Sequence, residues 1–446
     1  MSSVCLYFHV HQPYRVRRYS FFDIGEERSY FGEEGDTDRN NVRVMEKVAR
    51  KCYLPATAMW LELLERHPEL RLSFSISGVA LDQFRKYTPE VLTSFKKLVQ
   101  TGQVELLAET YYHSLAFLRS PGEFKEQVAL HRAALEEHFG FTPTVFRNTE
   151  LVYRNDLAEW VADMGFKGML AEGWEHYLGW RSPHFLYHAK GTPELKLLLK
   201  SYRLSDDIAF RFSERTWKEY PLTADKFAQW VSAFNGNGEV INLFMDFETL
   251  GEHHWEETGM FDFWRALPGE LLKHPDNDFV TTTEAITRYT PVGEYDVPHY
   301  LSWADTERDL SAWMGNPLQH DALRAIYALE PLVKSCGDEE VMEVWRFLQT
   351  SDHFYYMCTK WFADGDVHAY FSPYDSPYDA YISYMNIVND LKLRAEEAHA
   401  RRQEAATASP AARRTASFSS PFLQQGAARL RAWKDRLRRM RASAYH

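Results

Sequence analysis

The sequence predicts an α/β fold in which parallel strands close into a barrel, followed by a domain of helices. Segments typical of buried strands alternate with segments of helical spacing from about residue 4 to about residue 300. Repeated β-then-α alternation implies a parallel sheet covered by helices. After about residue 300 the predicted elements are successive helices. Polar residues also follow several predicted strands, where the active sites of parallel barrels lie.

Apolar runs and helical spacing place the elements in order. They are strand 4–10, helix 42–67, strand 70–77, helix 80–100, strand 104–110, helix 121–138, a strand ending near Glu150, helix 155–164 leading into 165–173, and a strand over Leu243–Met245 after an Asn-Gly-Asn-Gly turn. The later helices are predicted at 305–315, 318–335, 338–360 and 377–400.

These elements predict three parts. A barrel domain is expected at 1–300 and a helical bundle at 301–400. A basic tail follows at 401–446, with a flexible linker over 401–420 and a candidate amphipathic helix over 423–441. The tail holds eleven Lys and Arg residues against two acidic ones, although the whole chain carries a formal net charge of −12.

Composition excludes several classes of function. The acidic body argues against nucleic acid as the main partner. The sequence contains no stretch of about 18 apolar residues, so no membrane span is predicted. The four cysteines (Cys5, Cys52, Cys336, Cys358) show no metal-like spacing, and the first residues lack the apolar core of a secretion signal, so we expect a cytoplasmic location. Aromatic residues make up 15% of the chain, which suits either sugar stacking or an aromatic core.

Histidines follow or end two of the predicted strands. His9 and His11 alternate along the first strand and therefore point to one side. Glu109 and His113 come at and after the end of the strand at 104–110. Such side chains could bind a metal, transfer protons or hold sugar hydroxyls, and they could equally be structural histidines and ordinary loop polarity.

Two carboxylates also stand at strand ends. Glu150 follows an apolar segment, and Asp246 follows Leu243–Met245. Retaining cleavage of a glycosidic bond needs one ionised carboxylate as nucleophile and a second, protonated one as acid and then base. One of the two must have its pKa raised by burial or by its neighbour. Arg147 either keeps Glu150 ionised or forms an ion pair away from the site.

Three segments together resemble glycoside hydrolase family 57, in particular its alpha-amylase-like members. They are HVHQP at 9–13, NTELVY at 148–153 and MDFETLGEHHW at 245–255. The resemblance extends from residue 4 to about residue 395. It implies a distorted seven-stranded (β/α) barrel followed by a helical bundle that completes the cleft. It also implies retaining chemistry on α-linked glucans without a metal or other cofactor.

The resemblance also implies roles for single residues. Glu150 takes the nucleophile position and Asp246 the general acid/base position. His9, His11 and His113 match the family's site histidines. The other predicted substrate-binding residues are Glu109, Trp174 beside Glu172, Trp303 in the family's fifth segment, and Asp352, which the bundle would project into the cleft.

The predicted function is therefore hydrolysis of α-1,4-glucans, as polysaccharide or maltooligosaccharide, through a covalent glycosyl-enzyme. A 4-alpha-glucanotransferase or a glucan branching enzyme would use the same pair, because only the final acceptor differs. Two interpretations from other classes stay open. One is a metal-dependent barrel hydrolase or deacetylase with His9, His11 and Asp246 as zinc ligands, and the other is a non-catalytic glucan-binding protein. The partner of the basic tail is unknown.

Overall fold

The computed structural model describes residues 2–35, 39–360, 368 and 371–407. These residues form two compact units. The first consists of the residues up to 14 together with 41–313, and the second of residues 15–40 together with the described residues from 314 onward. The grouping of 15–40 with the C-terminal part was not indicated by any feature of the sequence.

The described residues of the first unit form ten strands. They are β1 (Ser2–Val10), β2 (Leu72–Ile76), β3 (Val104–Leu106), β4 (Val145–Phe146), β5 (Gly168–Glu172), β6 (Tyr187–Ala189), β7 (Thr192–Lys200), β8 (Val240–Asp246), β9 (Asn277–Phe279) and β10 (Glu294–Tyr295). The sequence analysis placed the strands corresponding to β1–β4 and β8, and included the segment of β5 at 165–173 in the β-then-α alternation without assigning its bounds. It did not predict β6, β7, β9 or β10.

Seven of these strands close into a parallel barrel. β1 pairs with β2 and β8, β2 with β3, β5 with β4 and β7, and β7 with β8, all in parallel. A parallel bridge between Ala108 and Phe146 joins the β3 segment to β4 and completes the ring. The ring is distorted because β4 has two residues and β7 meets β8 only through Lys200 and Asn242. The predicted seven-stranded barrel is confirmed.

The three remaining strands lie outside the ring. β6 runs antiparallel to β7, β10 runs parallel to β6, and β9 pairs with the first residues of β1.

Helices of the first unit connect the strands. They are α1 (Asn41–Val48), α2 (Leu54–Arg66), α3 (Gly78–Tyr87), α4 (Pro89–Gln100), α5 (Pro121–Phe139), α6 (Asn155–Asp163), α7 (Glu175–Leu178), α8 (Tyr202–Ala209), α9 (Ala224–Ser232), α10 (Met260–Leu272), α11 (Thr282–Arg288) and α12 (Ser311–Met314), the last of which ends at the first residue of the second unit.

Prolines explain why two predicted helices are interrupted. The helix predicted at 42–67 is α1 and α2 joined by a π-helical segment, Ala49–Tyr53. Pro55 has no N–H to donate to the carbonyl of Lys51, so the α-helical pattern cannot continue through it unchanged. The helix predicted at 80–100 is divided at Thr88, because the residue before Pro89 is disfavoured in helical conformation.

The second unit is helical in its C-terminal part, as predicted. Its described helices there are α13 (Pro317–Ala328), α14 (Glu330–Cys336), α15 (Glu339–Phe347), α16 (Ser351–Tyr355) and α17 (Pro377–Thr407). The prediction at 305–315 corresponds only to α12. α17 continues beyond residue 400 into the predicted linker, since residues 401–407 consist mostly of good helix formers.

The rest of the tail, including the helix predicted at 423–441, lies outside the described residues. No helix among the described residues is long and apolar enough to cross a membrane.

The side chains of β1 alternate between two apolar clusters, as a strand inside a barrel requires. The cluster between strands and helices includes Val4, Leu6, Phe8 and Val10 of β1 with Trp60 and Trp264 of the helices. The cluster inside the ring includes Cys5 and Tyr7 with Leu170, Leu198 and Phe244 of other strands. His9 continues the inward series at the C-terminal end of the barrel.

Candidate active site

The end of β1 brings two histidines to the C-terminal end of the barrel. His9 is in register with Asp246 of β8 on one side and with Ser75 of β2 on the other. His11 follows two residues later, and its Nδ1 lies 2.7 Å from the hydroxyl of Ser77. The two imidazole rings are nearly parallel, with centroids 5.8 Å apart.

The segment after β3 adds Glu109 and His113. Glu109 is fully buried, and its backbone N–H donates to Nδ1 of His131 on α5 at 3.1 Å. His113 has a φ of 49°, in the left-handed region that a non-glycine residue adopts infrequently. Its Nδ1 lies 3.1 Å from Oε2 of Glu109.

One oxygen of Glu109 contacts both histidine rings. Oε2 lies 3.4 Å from Nε2 of His9 and 3.1 Å from Nδ1 of His113, and the two rings stack with centroids 4.7 Å apart. Burial alone would raise the pKa of Glu109, but the charges and hydrogen bonds of His9 and His113 lower it well below its usual range. Glu109 is therefore an ionised carboxylate inside the barrel, and it accepts from both rings.

Glu150 lies in a short turn after β4, Thr149–Leu151, with a left-handed φ of 55°. Such a conformation costs roughly 1–3 kcal/mol and persists where the surroundings determine it. Oε1 of Glu150 lies 3.3 Å from Nε2 of His113, and Oε2 accepts from the indole Nε1 of Trp303 at 3.1 Å. The backbone carbonyl of Glu150 also accepts from the N–H of Trp303. The carboxylate is held at both oxygens, and its side chain is 18% exposed.

Asp246 is the last residue of β8, and its side chain is 42% exposed. Its Oδ1 lies 3.4 Å from Nδ1 of His9. Partial burial alone would raise the pKa of Asp246, but the hydrogen bond and charge of His9, with the charges of His253 and Arg147, lower it below its ordinary value. This is the opposite of the raised pKa that the sequence analysis required of an acid, because His9 stabilises the ionised form of Asp246. The same ring of His9 thus contacts Asp246 through one nitrogen and Glu109 through the other.

Arg147 and His113 add positive charge beside Glu150. Arg147 is fully buried at the end of β4, and its Nη1 lies 3.5 Å from Nδ1 of His113. Its charge therefore faces the site, which favours the interpretation that Arg147 helps to keep Glu150 ionised over that of an ion pair away from the site. Burial lowers the pKa of His113, but its hydrogen bonds to Glu109 and Glu150 raise it to about 9, so the imidazolium form prevails at neutral pH.

Trp303 is held from several sides while it donates to Glu150. The guanidinium of Arg147 lies 4.9 Å from the centroid of its ring, and Nζ of Lys200 lies 5.5 Å from it. Lys200 is itself paired with Asp206 at 2.9 Å. The sequence analysis assigned Trp303 to substrate contacts, and the hydrogen bond to Glu150, 153 residues away in the chain, was not indicated by any pattern.

Glu248 is a buried carboxylate that the sequence analysis did not select. Its Oε1 accepts from the hydroxyl of Tyr53 and from the N–H of His11. Burial, with the negative charge of Asp246, raises the pKa of Glu248 to about 8. Glu248 stands two residues after Asp246, and this close spacing of two carboxylates is the feature of the sequence that could have indicated it.

Two further residues were predicted to bind substrate, Trp174 and Asp352. Trp174 precedes α7, and its ring stacks on His176 with centroids 4.7 Å apart. Asp352 lies in α16 of the second unit, where its charge adds to burial in raising the pKa of Tyr356. Substrate contacts of both residues stay predictions.

His9, Glu109 and His113 also offer donor atoms within 4.8 Å of one another, a spacing that a metal ion could bridge. The guanidinium of Arg147 lies beside His113 Nδ1, the nitrogen such an ion would use, and a buried cation there opposes a second one. The zinc set considered from the sequence also included His11, whose Nδ1 contacts Ser77. The hydrogen bonds among these residues account for their positions without a metal ion, and the zinc alternative stays an untested prediction.

Comparison with known proteins identifies the family. The family model described as Glycosyl hydrolase family 57 matches residues 5–298. The chain belongs to this family. A protein of Methanocaldococcus jannaschii named "Putative alpha-amylase" is 44% identical over 401 residues, which cover 87% of this chain and 84% of that protein.

Solved structures of family 57 share the fold. The GH57-type branching enzyme of Pyrococcus horikoshii matches with a TM-score of 0.62 and 15% identity over 88% of each chain. The alpha-amylase AmyC of Thermotoga maritima matches with a TM-score of 0.58 and 15% identity over 91% of this chain and 96% of that one. At these identities the likeness establishes the fold alone. Family membership identifies the chain as a glycoside hydrolase, with Glu150 and Asp246 as the candidate catalytic pair.

Proposed function

We propose that this family 57 member cleaves α-1,4-glucans with retention of configuration, with Glu150 as nucleophile and Asp246 as general acid/base. The proposal rests on the different contacts and exposure of the two carboxylates. Glu150 is held at both oxygens by His113 and Trp303, as an ionised and aimed nucleophile requires. Asp246 is contacted at Oδ1 by His9 and is 42% exposed, which suits a group that exchanges protons with substrate and water.

The proposed reaction has two steps. Glu150 attacks the anomeric carbon, the bond to the glycosidic oxygen breaks, and the proton of Asp246 goes to that oxygen. A covalent β-glycosyl ester forms on Glu150. Water then gives a proton to Asp246 and its oxygen attacks the anomeric carbon. The ester bond breaks, the product leaves in the α configuration, and Glu150 is again ionised.

The second step also admits a sugar hydroxyl in place of water, which would make the chain a 4-alpha-glucanotransferase or a branching enzyme. The shared fold with a GH57-type branching enzyme supports keeping this candidate. Both reactions use the same pair of carboxylates, so the distinction lies in the acceptor and not in Glu150 or Asp246.

A product profile tests the proposal. Purified protein is incubated with amylose, glycogen and maltoheptaose, with Glu150→Ala as control. Short maltooligosaccharides with new reducing ends would establish hydrolysis. Redistributed chain lengths without new reducing ends would establish transfer, and new α-1,6 linkages would establish branching. No product from any substrate, with the control indistinguishable from the unmodified protein, would refute the proposal.

Azide distinguishes the two carboxylates. With an activated maltooligosyl fluoride, azide should occupy the space of the missing carboxylate in Glu150→Ala and yield a β-glycosyl azide. In Asp246→Ala, azide should instead attack the covalent intermediate and yield an α-glycosyl azide. The opposite pattern would reverse the assigned roles.

A cytoplasmic location and a storage glucan such as glycogen complete the proposal. All four cysteines are free and buried, which agrees with a reducing compartment. Fractionation of the source cells, with activity on glycogen assayed in each fraction, would test both points.

A further inference from the structure

The two candidate catalytic carboxylates are connected by a continuous chain of side-chain contacts inside the barrel. Asp246 Oδ1 lies 3.4 Å from His9 Nδ1, and His9 Nε2 lies 3.4 Å from Glu109 Oε2. Glu109 Oε2 lies 3.1 Å from His113 Nδ1, and His113 Nε2 lies 3.3 Å from Glu150 Oε1. Each ring uses one nitrogen for Glu109 and the other for a catalytic carboxylate, so Glu109 stands at the middle of the chain.

We propose that Glu109 is a positioning residue that couples Asp246 to Glu150 through His9 and His113, so that the charge of each carboxylate affects the other. The inference rests on the proposed function. In that reaction negative charge leaves Glu150 when the ester forms and appears on Asp246 when its proton is given up. A fixed anion between the two rings keeps positive charge available to both carboxylates. The coupling is electrostatic and requires no proton transfer between the rings.

Burial makes this coupling large. Glu109, His9 and His113 are all buried, and charges interact several times more strongly in the protein interior than in water. Ion pairs at the surface contribute little by comparison. Removal of the charge of Glu109 should therefore change the ionisation of both Asp246 and Glu150.

Other polar groups face Glu109, but none replaces the two rings. His131 accepts the backbone N–H of Glu109 at Nδ1 and donates through Nε2 to the carbonyl of Ile76, which describes a neutral ring. Burial also lowers the pKa of His131. The hydroxyl of Tyr7 stays neutral because burial raises its pKa. Arg147 is a permanent cation, and the rings of His9 and His113 are the groups that contact the carboxylate of Glu109 directly.

Glu109→Gln removes the charge but keeps an acceptor oxygen for both rings. Without the anion, positive charge on either ring is less favoured, so each catalytic carboxylate has less positive charge at 3.3 or 3.4 Å. Glu109 lies farther from each catalytic carboxylate than the imidazole ring between them does. Loss of positive charge on that ring therefore affects the carboxylate more than loss of the negative charge of Glu109. Both carboxylates should then ionise at higher pH, and both limbs of the pH profile of kcat/KM should move upward by roughly 1 pH unit.

The test measures kcat/KM against pH on a chromogenic maltooligosaccharide. Glu105→Gln is the matched control, because Glu105 is a buried glutamate on β3 that bonds Thr282 and Thr283 and lies outside the chain of contacts. Upward movement of both limbs in Glu109→Gln, with unchanged limbs in Glu105→Gln, supports the proposal. Unchanged limbs, or movement of one limb alone, in a Glu109→Gln protein with native circular dichroism overturns it.

A second measurement does not depend on activity or on the folding of Glu109→Gln. Nitrogen-15 NMR of labelled histidines compares the ring nitrogens of His9 at one pH in the unmodified protein and in Glu150→Gln. Glu150 contacts His113 at 3.3 Å, and Glu109 connects His113 to His9, so coupling predicts that the His9 ring signals move toward the imidazolium form in the variant, because His113 gives up positive charge and Glu109 then pairs with His9 alone. Unchanged His9 signals refute the coupling. Absence of glucan products would refute the proposed function while leaving this result intact.

Discussion

The two candidate catalytic carboxylates, Glu150 and Asp246, differ in backbone conformation, in hydrogen-bond donors and in exposure. Glu150 follows a two-residue strand in a left-handed turn, and donors from His113 and Trp303 occupy both of its oxygens. Asp246 ends a seven-residue strand in ordinary extended conformation, and its exposed fraction of 42% exceeds the 18% of Glu150.

This difference separates two requirements of glycosidic cleavage. A nucleophile attacks one carbon from one direction, so a strained backbone and two donors that fix its carboxylate are useful. An acid/base must meet the leaving oxygen and later the attacking water, so it benefits from exposure and from a single contact near the reacting groups. Family 57 chemistry in this chain is thus expected to depend on one carboxylate that is fixed and one that is more accessible.

The largest expected effect comes from the choice of leaving group. Asp246→Asn should lower kcat/KM on maltooligosaccharides by about 10²–10⁴-fold, because the leaving oxygen no longer receives a proton. On a maltooligosyl fluoride the loss in the first step should be much smaller, since fluoride leaves without a proton. Glu150→Gln should lose activity on both substrates, because the nucleophile is needed for each.

Steady-state rates and the fluoride burst would be measured for both variants. Equal losses on the two substrates in Asp246→Asn, together with spared fluoride cleavage in Glu150→Gln, would contradict the assignment of the fixed carboxylate as nucleophile.

A smaller effect is expected from loosening Glu150. Trp303→Phe keeps an aromatic ring but removes the donor to Oε2. A hydrogen bond to a charged group contributes about 1.5–3 kcal/mol, so kcat should fall roughly ten- to hundredfold. KM should change little if the loss acts through the nucleophile. Trp180→Phe is the control, since Trp180 is 95% exposed; equal kcat values for both variants would show that this hydrogen bond is unimportant.

Local patterns predicted the parts of this site that depend on neighbouring residues in the chain. Alternation along β1 placed His9 on the inner side, and strand-end position selected Glu150 and Asp246. The interrupted helices also had a local cause, because Pro55 and Pro89 forbid the bonds that helical spacing assumed. The boundaries were therefore less certain than the order of the elements.

Contacts between distant segments could not be predicted in this way. Glu109 meets His9 across 100 residues, and Trp303 meets Glu150 across 153. Which side chains converge depends on the closure of the ring by the Ala108–Phe146 bridge, and no single segment encodes that closure. The same limit applies to residues 15–40, whose grouping with the C-terminal helices depends on tertiary packing.

The last expected effect is on stability and not on activity, and it concerns Glu248, a buried neighbour of Asp246. Burial raises its pKa from 4.5 to about 8, so the folded protein binds this proton more tightly than the unfolded chain does. The stabilisation from the protonated form is complete below about pH 4.5 and is lost progressively as pH rises to about 8. Glu248→Gln removes this dependence while keeping an oxygen for Tyr53 and His11. Thermal unfolding at pH 5, 6.5 and 8 should show the variant gaining stability relative to the unmodified protein as pH rises, whereas parallel curves would mean that Glu248 is already ionised beside Asp246.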